Sequence, residues 1–216
     1  MDGIVFAPSH ILRLKDHRLD MLNVKYLMLA SGSPEYQLFI KNGRFPSIYN
    51  DRHVAIFENK SALPRAFTVP LGGLEVYGAI NDQLGRLRNP EFDPRQSVIA
   101  ATMPVSLKDL KDSAPSPGSL LNSNVEMTQS HINDLSFHTI TPRPSILVVS
   151  QTYYPGWKAS VDGTDVEVFP VNIALTGIAL PSGAHEVRFE FRPASFKIGT
   201  AVTLLSTVLL VAFILI

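Results

Sequence analysis

The sequence contains no cysteine, a single tryptophan and little charge, with 18% charged residues. The lack of cysteine excludes disulfides, thiolate nucleophiles and Cys-ligated zinc. Lys and Arg number 19, as do Asp and Glu, so the formal net charge is +0 and no concentrated basic surface for nucleic acid is indicated. The sequence also lacks the G-x-S-x-G, P-loop, H-E-x-x-H and EF-hand patterns. Composition therefore argues against nucleic-acid binding and against the enzymes that carry those motifs.

The most distinctive stretch is the C-terminal one, residues 198–216, which has no charged residue and no proline. A helix of this length spans roughly 28 Å, close to the hydrocarbon core of a bilayer, about 30 Å. We predict a transmembrane helix over residues 196–216, with Phe196 and Lys197 at the membrane surface. The alternatives are a buried core helix and a final sandwich strand. We also expect an upstream segment to export the domain, because residues 1–8 do not resemble a signal peptide.

The region before this helix has the patterns of an antiparallel sheet. Residues 146–149 form a continuous apolar run, typical of a strand buried on both faces. Asp162-Gly163 separates two short strands and predicts a type I′ hairpin. Apolar and charged residues alternate over 185–192, which indicates a strand with one wet face. We predict a mainly β (α+β) protein with an antiparallel β-sandwich or jelly-roll-like domain, a short N-terminal helix and a C-terminal transmembrane helix.

The first half is less regular and predicts mixed elements. The predicted helices cover residues 8–20 and 81–88, and the predicted strands cover residues 22–30, 36–40, 54–57, 65–69 and 97–101. Residues 125–130 and 135–140 are expected to pair across Asn133-Asp134. The predicted organisation is an α+β part over 1–101, a linker over 102–122, the sandwich over 123–195 and the membrane helix over 196–216.

One aromatic segment, Tyr153-Tyr-Pro-Gly-Trp157, is the candidate binding site. Sugar rings present apolar C–H faces that stack on aromatic side chains, so Tyr154 and Trp157 are predicted to form a sugar-binding platform, with Arg65 and Asn172 as hydrogen-bonding partners. The favoured interpretation is that Trp157 is a core anchor at the start of a hairpin, and that Arg65 is structural; sugar binding is the other one.

His10, Asp16, His17 and Asp20 lie close together in the sequence and could suggest a metal site. A solvated helix face with local ion pairs is the favoured interpretation. We therefore predict no metal site in this chain, and no cofactor is expected.

Several short motifs together resemble the C-terminal part of YfhO-like bacterial membrane proteins. In chain order they are Leu22-Asn-Val-Lys-Tyr26, Glu58-Asn-Lys-Ser-Ala-Leu-Pro-Arg-Ala-Phe67, Asn89-Pro-Glu-Phe-Asp-Pro94, Tyr154-Pro-Gly-Trp-Lys158, Asp162-Gly163, Pro181-Ser-Gly-Ala-His-Glu-Val187 and Phe196-Lys-Ile-Gly199. The resemblance covers most of the chain and ends at a membrane helix, as in that family.

The family consists of multi-spanning proteins similar to GT-C glycosyltransferases, which transfer sugars from polyprenyl-phosphate donors to cell-envelope acceptors. The resemblance implies an extracytoplasmic, non-catalytic C-terminal domain and the last membrane helix of such a protein in the bacterial cell membrane. Catalytic carboxylates in that class lie between early membrane helices, so this chain alone is expected to be inactive. The implied partners are membrane lipid, upstream membrane helices of the same protein, and a polyprenyl-phosphate sugar or envelope polysaccharide.

Two other functions remain open at this point: a membrane-tethered carbohydrate-binding module, and a purely structural sandwich without a ligand. One signal opposes the extracytoplasmic orientation. Arg188, Arg192 and Lys197 precede the helix, and the positive-inside bias would place them in the cytoplasm. We follow the resemblance and expect further Lys and Arg after residue 216.

Overall fold

The structure, a computed structural model, describes residues 3–5, 17–110 and 123–215; the side chains of residues 3–5 and 108–109 are not described. The strands are β1 (Gly3–Val5), β2 (Val24–Ala30), β3 (Ser47–Asn50), β4 (Val54–Glu58), β5 (Ala66–Pro70), β6 (Leu74–Val76), β7 (Val98–Ala100), β8 (Asn124–His131), β9 (Asp134–Thr141), β10 (Ser145–Thr152), β11 (Trp157–Val161), β12 (Thr164–Val166), β13 (Val168–Val171), β14 (Leu175–Leu180) and β15 (Gly183–Phe191). The α-helices are α1 (Arg18–Met21), α2 (Pro34–Asn42), α3 (Ile80–Leu87), α4 (Ser106–Leu110) and α5 (Ala194–Leu215). The predicted fold class, mainly β with antiparallel sheets, is confirmed.

At the centre lies a four-stranded antiparallel sheet in the order β13-β14-β10-β5. Its two inner strands are covered on both faces: all six residues of β14 and the first five of β10 are buried. The continuous apolar run at residues 146–149 is therefore a doubly buried strand, as predicted. Strand β5, which corresponds to the predicted strand 65–69, lies at the edge of this sheet.

A second sheet, in the order β12-β11-β15-β9-β8, packs on one face of the central sheet and completes a sandwich. Phe137 and Phe189 meet edge to face in the shared core, with ring centroids 6.1 Å apart. The predicted hairpin at Asp162-Gly163 is confirmed by φ angles of 50° and 81°. Strands β8 and β9 pair as expected from Asn133-Asp134.

The other face of the central sheet is covered by a smaller layer that includes Leu87 of α3, Phe92 and the β6–β7 pair. The predicted helix at 81–88 and strand at 97–101 correspond to α3 and β7. Because β5 comes from residues 1–101 and pairs with β10, the two predicted parts of the chain contribute to one sheet.

A third sheet, in the order β1-β2-β4-β3, carries α2 on one face. The prediction of a strand over 36–40 is wrong, because those residues lie inside α2. The Ser33 hydroxyl accepts from the Tyr36 backbone N–H, Pro34 begins the helix, and Gly43 ends it with φ 70°. The helix buries Phe39 against Phe45 and Phe57.

Three further elements differ from expectation. Strand β3 forms where no strand was predicted, and α4 falls within the predicted linker 102–122. The chain from 164 to 169 changes sheets, since β12 pairs with β11 while β13 pairs with β14. Of the predicted helix 8–20, residues 17–20 are described, and residues 18–20 lie in α1. Residues 8–16, with His10 and Asp16, lie outside the described residues, as do residues 111–122.

The chain ends in α5, a helix of 22 residues with a mean hydropathy of 2.4 over its most apolar window. All of its described residues are exposed. By length and composition it could cross a membrane. The expectation of a long apolar C-terminal helix that is not packed into a globular core is confirmed.

Candidate functional site

The aromatic segment predicted to form the site is a tight loop between β10 and β11. Tyr153 donates its backbone N–H to the carbonyl of Ala174, at 2.7 Å, and Trp157 donates to the carbonyl of Tyr154, at 3.2 Å. Gly156 lies between them with φ +133°, a conformation that side chains disfavour. The sequence Tyr-Pro-Gly-Trp thus closes a turn that faces the end of β15.

The structure brings Tyr154 and Trp157 together through a third ring, that of Phe191. The Trp157 ring lies 5.2 Å from the Phe191 ring and the Tyr154 ring lies 6.1 Å from it, between centroids. Tyr154 is 59% exposed, whereas Trp157 is half-buried against the sandwich core. This position agrees with the interpretation of Trp157 as a packing anchor, and it leaves Tyr154 largely exposed.

Arg65 lies elsewhere, just before β5. Its Nη2 donates to Oε1 of Gln151 at 2.9 Å, and its carbonyl accepts from the Ser150 N–H at 2.7 Å. Its Nε is buried without a hydrogen-bond partner in the described part of the chain. These bonds tie the start of β5 to the end of β10. A role in sugar binding stays a prediction.

Asn172 is 2% exposed and forms part of the turn between β13 and β14, where Asn172 and Ile173 have φ 48° and 73°. Its Oδ1 accepts from the Ile99 N–H at 2.9 Å, and its own N–H donates to the Ile99 carbonyl at 2.7 Å. Asn172 therefore joins the central sheet to β7. Its carboxamide lies inside the protein, whereas Tyr154 lies at the surface.

Next to the aromatic loop is a groove that sequence reasoning missed, with a volume of about 810 Å³. One wall comes from the loop and the end of β15, and the other from the first three turns of α5. The lining residues are Tyr154, Phe191, Pro193, Ser195, Phe196, Gly199, Thr200, Thr203 and Leu204. We call it the junction groove. Phe191 could have indicated this groove from the sequence, because it is the last apolar residue of the alternating strand and lies three residues before the helix.

The ion pairs described next lie at separate places in the fold and do not converge on one site. The Asp20 carboxylate is fully buried and accepts from Arg44 Nη2 at 2.7 and 2.8 Å, from Asn59 Nδ2 at 2.9 Å, and pairs with His17 Nδ1 at 2.7 Å. Four contacts leave little room for a metal at this carboxylate. Among the described residues no group of three or more His, Cys, Asp or Glu could hold a metal ion.

Two other carboxylates are held in the ionised form by their partners. Two hydrogen bonds from Arg86, at 2.7 and 2.8 Å, lower the pKa of Glu75. Asp162 contacts His185 Nδ1 at 2.7 Å and accepts the Glu186 N–H at 2.9 Å; both contacts lower the pKa of Asp162. A general acid needs a raised pKa, so these groups are suited to structure rather than proton donation.

A more polar cavity, of about 910 Å³, lies near Pro70 and Pro144, at the end of the central sheet opposite the aromatic loop. Arg95, Arg143 and Gly73 are among the residues that line it. A Cβ on Gly73 would fall 1.9 Å from the Gln96 carbonyl oxygen, so glycine is required there. Both arginines are exposed side chains, and this cavity carries no recognisable catalytic arrangement within the described residues.

In a comparison with known families, residues 119–203 match the model described as "Bacterial membrane protein YfhO". The match covers less than half of the chain and runs from before β8 through β15 into α5, so it includes every strand of the sandwich except β5. The resemblance expected from the motifs is confirmed over these residues. No curated protein and no solved structure matches the chain.

Proposed function

Because residues 119–203 match the bacterial membrane protein YfhO, we propose that this chain is the non-catalytic, extracytoplasmic C-terminal domain of a GT-C-type membrane glycosyltransferase, with its last membrane helix. The parent enzyme would transfer sugar from a polyprenyl-phosphate donor to a cell-envelope acceptor. The observation that carries this proposal is the continuity of the match from the sandwich into α5.

The properties of α5 support membrane anchoring. Its 22 residues span about 33 Å at 1.5 Å per residue, enough for a hydrocarbon core of about 30 Å. Its hydroxyls bond back to the helix: Thr200 to the Phe196 carbonyl and Thr203 to the Gly199 carbonyl, each at 2.9 Å. A hydroxyl satisfied in this way tolerates a lipid environment.

The arrangement of carboxylates supports a non-catalytic role. Asp20, Glu75, Asp134 and Asp162 are each held by an Arg or His partner at 2.6–2.8 Å. None of these four lines the junction groove, where a lipid-linked substrate would approach. The domain would then support the membrane core and guide substrates, while catalysis occurs elsewhere in the parent protein.

A membrane-tethered carbohydrate-binding module is the second candidate, favoured by the exposed ring of Tyr154 beside Trp157. Titration of the chain in detergent with envelope polysaccharides and polyprenyl-phosphate sugars, read by the fluorescence of the single tryptophan, tests it. A saturable change that is lost in Tyr154→Ala would favour the module. If the fluorescence does not change with any of these ligands, the proposed role in supporting the membrane core is favoured over carbohydrate binding.

Orientation can be measured directly because the chain has no cysteine. Ile132 is 94% exposed at the β8–β9 turn, so Ile132→Cys in the parent protein, with any other cysteines replaced, provides a single label site. We expect a membrane-impermeant maleimide to label it in intact bacteria. Ser206→Cys, in the middle of α5, is the matched control and should remain unlabelled. Labelling of Ile132→Cys only after the membrane is opened would refute the extracytoplasmic placement.

Catalysis is tested separately by sugar transfer in membranes that contain the parent protein. We expect Glu75→Gln and Asp162→Asn to retain transfer, because neither carboxylate acts on substrate under this proposal. Loss of transfer by either variant, with unchanged protein level in the membrane, would contradict a non-catalytic role.

A further inference from the structure

We propose that the junction groove binds an acyl chain of a membrane glycerophospholipid and so seats the sandwich on the bilayer. The inference rests on insertion of α5 as proposed above, and goes beyond it by assigning a ligand to a defined groove. The ligand class follows from the position of the groove, from its lining and from its fixed shape.

The position of the groove places it in the membrane. Phe196, Gly199, Thr200, Thr203 and Leu204 recur at the spacing of one helical face. At 1.5 Å per residue these turns extend about 12 Å along the helix, well into the upper half of a bilayer core of about 30 Å. The lower part of the groove therefore opens into hydrocarbon once α5 is inserted.

The lining of the groove selects an apolar ligand. Its walls are aromatic rings, a proline, a leucine, small residues and hydroxyls, and none of its nine lining residues carries a charge. The hydroxyls of Thr200 and Thr203 already donate hydrogen bonds to carbonyls of the same helix. A sugar or phosphate buried here would leave polar groups without partners, and burial of unpaired polar groups is unfavourable. A hydrocarbon chain meets no such penalty.

The groove can also accommodate a chain without rearrangement. A Cβ added at Gly199 would have no neighbour within 4 Å, so the helix surface is open at that point. The opposite wall is fixed: Gly156 approaches so closely that an added Cβ would lie 3.1 Å from both Phe191 and Pro193. The Arg192 N–H also donates to the Gly156 carbonyl at 2.7 Å. The loop, the end of β15 and the start of α5 thus form one preformed cleft.

Cationic and aromatic groups beside the groove suit the headgroup region. Lys197 is exposed and follows Phe196, which is 73% exposed. Aromatic rings and snorkelling cations are favoured at the level of lipid headgroups. A phospholipid whose chain lies in the groove would place its phosphate near this level, where Lys197 attracts it.

The single tryptophan tests this proposal, because Trp157 contacts Phe191, which lines the groove. The full 216-residue chain is reconstituted in phosphatidylglycerol–phosphatidylethanolamine vesicles whose acyl chains are brominated near the glycerol end or near the methyl end. We expect strong quenching of Trp157 by bromine near the glycerol end and weaker quenching by bromine near the methyl end. Equal, weak quenching by both lipids would overturn the proposal.

A matched pair of variants separates groove occupancy from mere closeness to the membrane. Gly199→Leu places a side chain in the groove, whereas Ala201→Leu adds a similar side chain on α5 at a residue that does not line it. We expect Gly199→Leu to lose most of the quenching and Ala201→Leu to keep it, with unchanged circular dichroism in both. Equal quenching in the two variants would show that no lipid chain occupies the groove.

Two other outcomes also count against the proposal and can be told apart. Quenching that falls as the protein-to-lipid ratio rises would mean that a second copy of the chain fills the groove. Flotation of the vesicles reports insertion independently: a chain that fails to float refutes membrane anchoring, whereas a chain that floats without quenching refutes only the lipid-binding groove.

Discussion

Strand β10 and helix α5 both contain long apolar runs, and their environments are opposite. The strand residues Ile146, Leu147, Val148 and Val149 are all 0% exposed, whereas every described residue of α5 is exposed. The strand is short and is covered by a layer on each face. The helix is 22 residues long and no other element in the described part of the chain covers it.

The difference shows that the apolar character of a segment does not by itself determine whether protein or lipid surrounds it. A strand of eight residues can be enclosed by two layers of a small domain, because its neighbours supply apolar surface at the right distance. A helix that is apolar on all sides needs apolar surroundings on all sides, and a bilayer supplies them. Substitutions of the same kind in the two segments should therefore have different effects.

The largest expected difference comes from one pair of leucines. Leu147→Ala removes a fully buried side chain, and we expect a loss of about 2–5 kcal/mol in the free energy of unfolding. Leu209→Ala removes a side chain that is 61% exposed in α5, and we expect a change within about 0.5 kcal/mol. Urea unfolding in detergent micelles, followed by Trp157 fluorescence, measures both. Equal losses would mean that α5 packs on the folded domain.

A charge in α5 should act on insertion rather than on folding. Val208→Arg places a cation near the middle of the helix, and we expect a cost of about 2.5–3.5 kcal/mol for membrane insertion. The fraction of chain recovered in carbonate-washed membranes measures the effect, with Val208→Leu as the control. An unchanged fraction for Val208→Arg would indicate that α5 does not cross the bilayer as a single span.

Substitution of two glycines, one in the aromatic loop beside the junction groove and one in the β11–β12 hairpin, compares the packing of these two regions. Gly156→Ala combines an unfavourable φ of +133° with contacts at 3.1 Å, and we expect a loss of about 2–4 kcal/mol in unfolding free energy. Gly163→Ala has φ +81° but open space, and we expect about 1–2 kcal/mol. The same urea titration compares them. If Gly156→Ala costs no more than Gly163→Ala, the junction is less closely packed than the contacts indicate.

The smallest expected effect concerns acid stability of the Asp162-Gly163 hairpin. The pKa of Asp162 lies below its usual value of 3.8, because His185 and the Glu186 N–H stabilise the carboxylate. A lowered folded pKa contributes stability that is present above the unfolded pKa and is lost as the pH falls through the folded value. We therefore expect unfolding midpoints to decline as the pH falls below about 3.8, and to decline less in Asp162→Asn.

Asparagine also accepts the positive φ of this turn, so Asp162→Asn preserves the hairpin while removing the titrating group. If the unfolding midpoints of the wild type and of Asp162→Asn depend on pH in the same way, the Asp162–His185 contact does not contribute to stability. Thermal unfolding in detergent across a pH series provides the profile.

The sequence predicts the sandwich well because period-two alternation and Asp-Gly turns are local signals. The alternation of Val187 and Phe189 with charged residues placed β15 correctly, and the continuous run at 146–149 placed β10. The error at 36–40 has a local cause too: Ser33, Pro34 and Gly43 are start and stop signals of a helix, and they outweigh the β-branched and aromatic content of residues 36–40.

The candidate site was harder to predict, because it depends on contacts between distant residues. Tyr154 and Trp157 are neighbours in the sequence and stay together, but the ring that unites them, Phe191, is remote. Asn172 lies in a turn whose positive φ at Ile173 has no clear sequence signal, since β-branched residues rarely adopt it. Its contact with Ile99 required knowledge of the sheet order.

The connection between sandwich and helix contains only Arg192 and Pro193, and both are restrained. Arg192 donates to the Gly156 carbonyl, Pro193 has a ring-locked φ, and its carbonyl accepts the Phe196 N–H at 3.2 Å. Because both linking residues are restrained, we expect α5 and β15 to keep a fixed relative orientation. If α5 spans the bilayer as proposed, a tilt of the helix would then displace the far end of the central sheet, where Arg95 and Arg143 lie, relative to the membrane surface.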